Sequence, residues 1–411
     1  MVGTCTALQL QRRGCTVTLV DRRAPGRETS YGNAGMIQRE AVEPYAFPRD
    51  ARSIFDLLRR RGAAVHWHAG ALPRIAPALW RYFRHSAPAP HARATQAFSR
   101  LIAHCLDEHQ ALLSLSAADD LVRREGFRFV YRSTAAFDRA ASDAQRLTDE
   151  FGVRHAMLDA HALSAAEPAL RTDRLAGAIH WLDPWSVSDP GELVARHANA
   201  FVQAGGRIVQ GDAFTLQQAS SAGSSATRWR VQTTEGAVDA AQAVVALGPW
   251  SDALVRGLGY RFPLFVKRGY HQHYRPASSQ AGLRLAFLDA ERGYVLVPMR
   301  QGWRLTTGAE FARIDAAATP VQLARAEAAA RELVDLPPAA AEPPWLGARP
   351  CIADMLPVMG AAPRHRGLWF NFAHAHQGFT LGPVAGRLLA ELITGEPPLV
   401  DPTPYAPARF G

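Results

Sequence analysis

The stretch that most constrains this chain is Met1–Asp21. Thr4–Arg13 carries Ala7, Leu8 and Leu10 on one side and predicts a helix, and Gly14 follows where a helix end favours a residue tolerant of positive φ. Thr16-Val17-Thr18-Leu19-Val20 is rich in β-branched residues and predicts a strand. It closes on Asp21, an acid placed where dinucleotide-binding units hydrogen-bond a ribose diol. Gly3 then takes the place of the last glycine of a Gly-x-Gly-x-x-Gly turn, the one that lets a helix pack closely on its strands. The apolar strand and the two glycines that would precede it do not occur in the sequence as it stands. The expectation is a doubly wound sheet without its middle strand, with backbone groups left unpaired there.

Three further segments carry a family resemblance: Thr29-Ser30-Tyr31-Gly32-Asn33-Ala34-Gly35-Met36-Ile37, Val244-Val245-Ala246-Leu247-Gly248-Pro249-Trp250-Ser251, and His376-Gln377-Gly378-Phe379-Thr380-Leu381-Gly382-Pro383. They resemble, in turn, the loop after the second strand, the second flavin-contacting strand and turn, and the C-terminal flavin loop of the D-amino-acid oxidase/dehydrogenase family of FAD flavoenzymes. The resemblance implies an α/β fold, with a Rossmann-like three-layer FAD/NAD(P)-binding domain interleaved with a mixed α+β substrate domain around an antiparallel sheet. Residues 1–50, 185–260 and 340–411 would form the discontinuous FAD domain, and 51–184 and 261–339 the substrate domain. FAD is the implied cofactor. Gly3, Asp21 and Arg22 would meet it from the opening unit, and Ser30, Asn33, Ala34, Gly35 and Met36 from the following loop. Ala246, Gly248 and Trp250 would do so from the second segment, and His376, Gly378 and Leu381 from the third. The chain departs from the family at Ala373 and Ala375, which stand where relatives carry glycine, so their Cβ atoms are expected to crowd the ring. Poor FAD retention is also expected of a sheet without its central strand.

The implied chemistry passes a hydride from the substrate α-carbon to flavin N5, which leaves orientation to the protein. A carboxylate anchor is the first need, and arginine suits it because its planar fork makes two charge-assisted bonds. All but one of the 46 basic residues are arginine, so composition does not choose among them. Gly347-Ala348-Arg349-Pro350, followed by Asp354 and Leu356-Pro357-Val358-Met359-Gly360, resembles the family segment whose arginine holds the substrate carboxylate. The competing reading of Arg349 is a structural salt bridge to Asp354. Leu264–Tyr274 predicts a strand that in the family faces the flavin, with Tyr270 and Gln272 on one face and His271 and His273 on the other. Tyr270 and Tyr294 are candidates for substrate contacts, against ordinary core roles. Lys267, the only lysine, is a candidate for holding water near flavin N5, against chance survival.

Other classes find little support. The net charge of +9 is spread along the chain and reads as compositional bias, not as a nucleic-acid patch. Cys5, Cys15, Cys105 and Cys351 form no CxxC pair. The pairs His66/His68, His271/His273 and His374/His376 have no third ligand at motif spacing, so no metal is expected. No run of about 20 apolar residues is present, which fits a cytoplasmic protein and is compatible with peripheral contact at the inner face of the cell membrane. Helices are predicted over 52–87 and 97–115. The expected activity is oxidation of the C–N bond of a small amino acid, a D-amino acid foremost, to an imine and then a 2-oxo acid plus ammonia. Electrons would pass to a quinone, the respiratory chain or oxygen. The alternatives are an imino- or N-methyl-amino-acid dehydrogenase (D-hydroxyproline, sarcosine-like) and, from another class, a flavin-less inactive member or subunit.

Overall fold

The opening helix forms over Val2–Gln11, with Gly14 at φ +79° beyond its end. The computed structural model describes residues 1–51, 54–55, 64–221, 224–277 and 282–411. The strand Thr18–Asp21 runs parallel to Arg207–Ser221, which continues antiparallel through Ser224–Thr233 to Gly236–Ala240. A separate sheet joins Ala243–Val245 in parallel to Leu368–Phe372, and that strand antiparallel to Val358–Ala361. The expected doubly wound sheet is thus in two pieces. Among the described residues Thr18–Asp21 and Ala243–Val245 each lie at the edge of their sheet, and both border one cavity. Gly3 sits at the junction, where a Cβ would lie 3.5 Å from the Ala246 Cβ and 3.9 Å from Leu19 Cδ1. Both are ordinary contact distances, so the helix start lies against both pieces without the crowding that would demand a glycine there.

The second layer system is a ten-stranded sheet in the order Val65–Trp67, Ala309–Phe311, Leu264–Tyr274, Gly302–Thr306, Tyr294–Met299, Phe287–Asp289, Phe127–Tyr131, Gly177–Trp181, His155–Asp159, with Trp345–Ile352 also pairing Leu264–Tyr274. It is antiparallel except where Phe287–Asp289 meets Phe127–Tyr131 and Ala309–Phe311 meets Val65–Trp67.

The helix expected over 52–87 needs correction. Residues 52–53 and 56–63 lie outside the described residues, and Val65–Trp67 is an edge strand before the helix Leu72–His85. Val65 and Trp67 suit a strand, and Ala309–Phe311 supplies an edge for them. The helix expected over 97–115 is two helices, Pro88–Ala103 and Cys105–Ser116. Its apolar stripe is core, as read: Leu101, Ile102, Leu112 and Leu113 are fully buried. Pro190–Gln203 has Asp189 as its N-cap and Pro190 at its first position, with the Asp189 carboxylate accepting the Glu192 N–H at 3.0 Å. Among the described residues no helix is long and apolar enough to cross a membrane.

Candidate active site

Two antiparallel strands build the floor of the site. Along Leu264–Tyr274 and Trp345–Ile352, Lys267 stands opposite Arg349 and Gly269 opposite Gly347. Alternation places Lys267, Gly269 and His271 on one face together with Trp345, Gly347 and Arg349. The Arg349 head lies over Gly269, where any Cβ would come within 2.6 Å of its Nη2. Nη1 donates to the Gly308 carbonyl at 2.8 Å and Nη2 to the Thr307 carbonyl at 3.2 Å. Among the described residues no carboxylate pairs with Arg349. Asp354 is bound instead by Arg409 at 2.7 Å, which rules out the structural salt bridge. Burial draws Arg349 below its ordinary pKa, so a desolvated positive charge borders the cavity with no counter-ion.

Lys267 lies beside it. Its Nζ is 3.4 Å from the Tyr82 hydroxyl, 4.8 Å from the Tyr82 ring centre and 5.6 Å from those of Phe265 and Phe311. His376 packs edge-on to Tyr45 at 4.7 Å. Burial first, then repulsion from Arg349 and Lys267, pushes its pKa down to about 3 and keeps the ring neutral. The cavity these groups share has a volume of about 1210 Å³, above the ~300–1,000 Å³ of ordinary small-ligand sites.

Most of the predicted cofactor residues border this one cavity: Gly3, Asp21 and Arg22; Ser30, Asn33, Ala34 and Met36; Ala246, Gly248 and Trp250; His376 and Gly378. The Arg22 guanidinium lies 4.1 Å over the Trp250 ring, closing one end. Asn33 Oδ1 accepts the Gly35 N–H at 2.7 Å, and buried Arg304 donates to the carbonyls of Tyr31 and Asn33 at 2.9 and 2.6 Å. These bonds hold the loop against the wall.

Four predicted residues are placed otherwise. Gly35 does not border the cavity; at φ +71° a Cβ would lie 2.3 Å from the Val187 carbonyl oxygen, so it serves a close backbone approach. Leu381 is fully buried in core packing. Tyr294 is almost fully buried, against Phe287 in a core cluster of the ten-stranded sheet. Tyr270 borders the cavity, but its hydroxyl turns to the other face of the sheet, where it donates to Glu310 at 3.1 Å and accepts the Thr319 N–H at 2.7 Å. Both tyrosines are core residues.

Sequence reasoning missed Tyr82, Phe265 and Phe311, which come from separate elements and give no local signal. It also missed Gly269. A glycine inside a strand marks close approach of another group, and that signal was present. The expectation that no third ligand joins a His-x-His pair fails at one place: His66, His68 and Glu310 bring ligand atoms within 4.8 Å of one another. Glu310 is already engaged, however, by Arg268 Nε at 2.7 Å and by the Thr319 hydroxyl at 2.5 Å, so the group reads as an ion-pair network.

The C-terminal loop carries the two alanines in a glycine-like backbone conformation. Ala373 and Ala375 hold φ of +67° and +50°, and the Ala375 N–H donates to the Pro350 carbonyl at 2.9 Å. The loop therefore keeps a glycine-like path despite its Cβ atoms. The helix after it spans Gly378–Thr394, and its first residues border the cavity.

With this geometry in hand, the comparisons are clear. The profile of the FAD dependent oxidoreductase family matches residues 1–392, and the chain belongs to that family. It is 30% identical to a D-amino-acid oxidase of Bradyrhizobium diazoefficiens, covering 100% of this chain and 96% of the relative. It is 31% identical to a D-amino acid dehydrogenase of Cereibacter sphaeroides, covering 100% and 93%. Its fold is that of glycine oxidase from Geobacillus kaustophilus, with a TM-score of 0.72 at 21% identity over 98% of this chain and 95% of the other. The residues present fit FAD. The first turn of Val2–Gln11, with the unpaired N–H groups every helix start carries, borders the cavity, as do Asp21 at the end of its strand and the cations Lys267 and Arg349.

Proposed function

We propose that this FAD-dependent oxidoreductase oxidises the C–N bond of a small amino acid, a D-amino acid foremost, to an imine that water converts to a 2-oxo acid and ammonia. FAD, when bound, supplies the hydride acceptor. The observation that carries the reading is Arg349. A desolvated guanidinium bordering an apolar cavity with no carboxylate partner is costly unless an anion joins it, and an α-carboxylate is the anion an amino acid brings. The two carbonyl bonds fix the fork, Gly269 leaves room for it, and Tyr82, Phe265 and Phe311 keep water from the adjoining wall. His376 stays neutral, so it adds no competing charge.

The test is a panel of D-amino acids with dye reduction, run on wild type, Arg349→Lys and Arg349→Ala. Both variants should raise KM, alanine more. A charge-assisted bond contributes about 1.5–3 kcal/mol, so alanine should cost at least about tenfold in kcat/KM, with flavin content unchanged. An amine without a carboxylate should barely distinguish the proteins. Equal losses for that amine would defeat the clamp. Running the same assay with oxygen, a quinone and a dye identifies the acceptor.

The reading extends to contact with the inner face of the cell membrane. The helix Leu72–His85 exposes Arg74, Arg81 and Arg84 around Trp80, which is 62% exposed. An exposed tryptophan among arginines suits an anionic bilayer surface. Co-sedimentation with anionic vesicles, lost in Trp80→Ala, is the expected result.

A further inference from the structure

We propose that the site is built for an amino acid with two carboxylates, the α-carboxylate held by Arg349 and the side-chain carboxylate by Lys267. This deepens the function proposed above and rests on it. The starting observation is a conflict in the sheet. Lys267 and Arg349 are directly opposed across an antiparallel pair, a position in which like charges destabilise. Both border the cavity, and among the described residues neither has a carboxylate partner. Among the described residues the acids that border the cavity are Asp21, Glu28, Asp212 and Asp239. All lie in the four-stranded sheet or the loop after its first strand, and two are engaged elsewhere, Glu28 by Arg22 and Asp239 by Arg230. Among the described residues the wall around the two cations therefore supplies no negative charge of its own.

A substrate with one carboxylate relieves only half of this. Lys267 would keep its charge against the rings of Tyr82, Phe265 and Phe311, with a single long contact to a hydroxyl. A second carboxylate gives it a charge-assisted partner. Directly opposed residues have Cβ atoms about 4.5–5.5 Å apart, so the two heads reach carboxylates carried on one short chain, of aspartate or glutamate size. His376, held neutral beside both cations, neither adds to nor cancels the positive wall. The chemistry stays the same. The α-carbon gives its hydride to FAD, the amine nitrogen gives up a proton, and water replaces nitrogen in the imine, leaving a 2-oxo dicarboxylic acid and ammonia.

The experiment compares D-aspartate and D-glutamate with their amides, D-asparagine and D-glutamine, and with D-alanine, by dye reduction on wild type, Lys267→Met and Lys267→Gln. In wild type each diacid should exceed its amide by roughly tenfold to a hundredfold in kcat/KM, the range of one charge-assisted bond. In either variant that ratio should fall toward one, through KM. A second readout does not need turnover: succinate should perturb flavin absorbance at lower concentration than propionate, and the variants should lose the difference. If amides and D-alanine match the diacids in wild type, amino-acid oxidation stands and the two-carboxylate site is wrong. If the variants slow all substrates alike with unchanged ratios, Lys267 serves the flavin instead and the proposal falls. If no amino acid reduces the dye, yet succinate binds with the expected preference, the failure belongs to the proposed reaction and not to the two-carboxylate site. If succinate shows no preference either, both fall.

Discussion

Ala373 and Ala375 occupy the left-handed region, where an L-residue's Cβ crowds the following carbonyl at a cost of about 1–2 kcal/mol. In an ordinary backbone conformation, glycine in place of alanine would lower stability through chain entropy by roughly 0.5–1 kcal/mol. The observed φ reverses the sign. Ala373→Gly and Ala375→Gly should each raise the unfolding free energy by a net ~0.5–1 kcal/mol, read as a higher urea midpoint with an unchanged slope. A lower midpoint would show that their Cβ atoms contribute packing worth more than the strain; Ala373 is almost fully buried and packs in a core cluster. Flavin occupancy should not fall in either variant.

At the scale of elements, the helices Val2–Gln11 and Gly378–Thr394 act as one clamp on the cofactor cavity. Both begin on its border, and they cross at Gly386, where a Cβ would lie 2.8 Å from the Cys5 carbonyl carbon and 2.8 Å from the Thr6 nitrogen. These are backbone atoms and cannot swing aside. Gly386→Ala should therefore push the helices apart, costing about 1–3 kcal/mol as overpacking does. It should also lower FAD occupancy, because the shift moves both helix starts. Gly378→Ala is the comparison: its Cβ would meet nothing closer than 3.5 Å, so it should fold with a smaller loss. Equal flavin content and stability in Gly386→Ala and wild type would show that the clamp has slack.

For the whole molecule, buried titratable groups set the response to pH. His109 is held down to about 4, and His197 and His374 to about 3, burial being the first cause in each. A depressed folded pKa gives stability that is complete above the unfolded value near 6.5 and is lost as pH falls below it. Glu40 runs the other way. It is buried with one oxygen unpartnered among the described residues, and burial raises it to about 7, so its contribution is complete below about pH 4.5 and is lost as pH rises toward 7. His271, His273 and His376 are lowered in the same way, burial first in each, and these six histidines outweigh Glu40 together with the raised carboxyls of Asp21 and Asp289. Urea midpoints should therefore fall as pH drops from about 6.5 to about 5, at up to ~1.4 kcal/mol per unit for each histidine. Glu40→Gln should raise stability at about pH 8 by on the order of 3 kcal/mol and steepen the acid-side loss. A flat profile between these limits would mean that water reaches the histidines.

Features written in neighbouring residues were legible without the structure. The helix before Gly14, the strand ending at Asp21, the Asp189-Pro190 helix start and the strand Leu264–Tyr274 each depend on local propensity, capping or alternation, which a few consecutive residues carry. The flavin-loop segments were read from their resemblance to a family, which short runs of residues carry, and most of their residues border one cavity. Alternation also showed that Leu264–Tyr274 has two faces, yet it could not say which borders the cavity. Lys267 and Tyr270 were both candidates although their side chains leave opposite faces. Only the covering of one face by Glu310 and Thr319 sent the Tyr270 hydroxyl into the core. Likewise, tertiary packing gave Asp354 to Arg409, 55 residues away, and left Arg349 beside Lys267 without a counter-ion among the described residues. Which charge is paired, and which is left for a ligand, depends on what packs across a sheet from distant parts of the chain, and no run of adjacent residues carries that information.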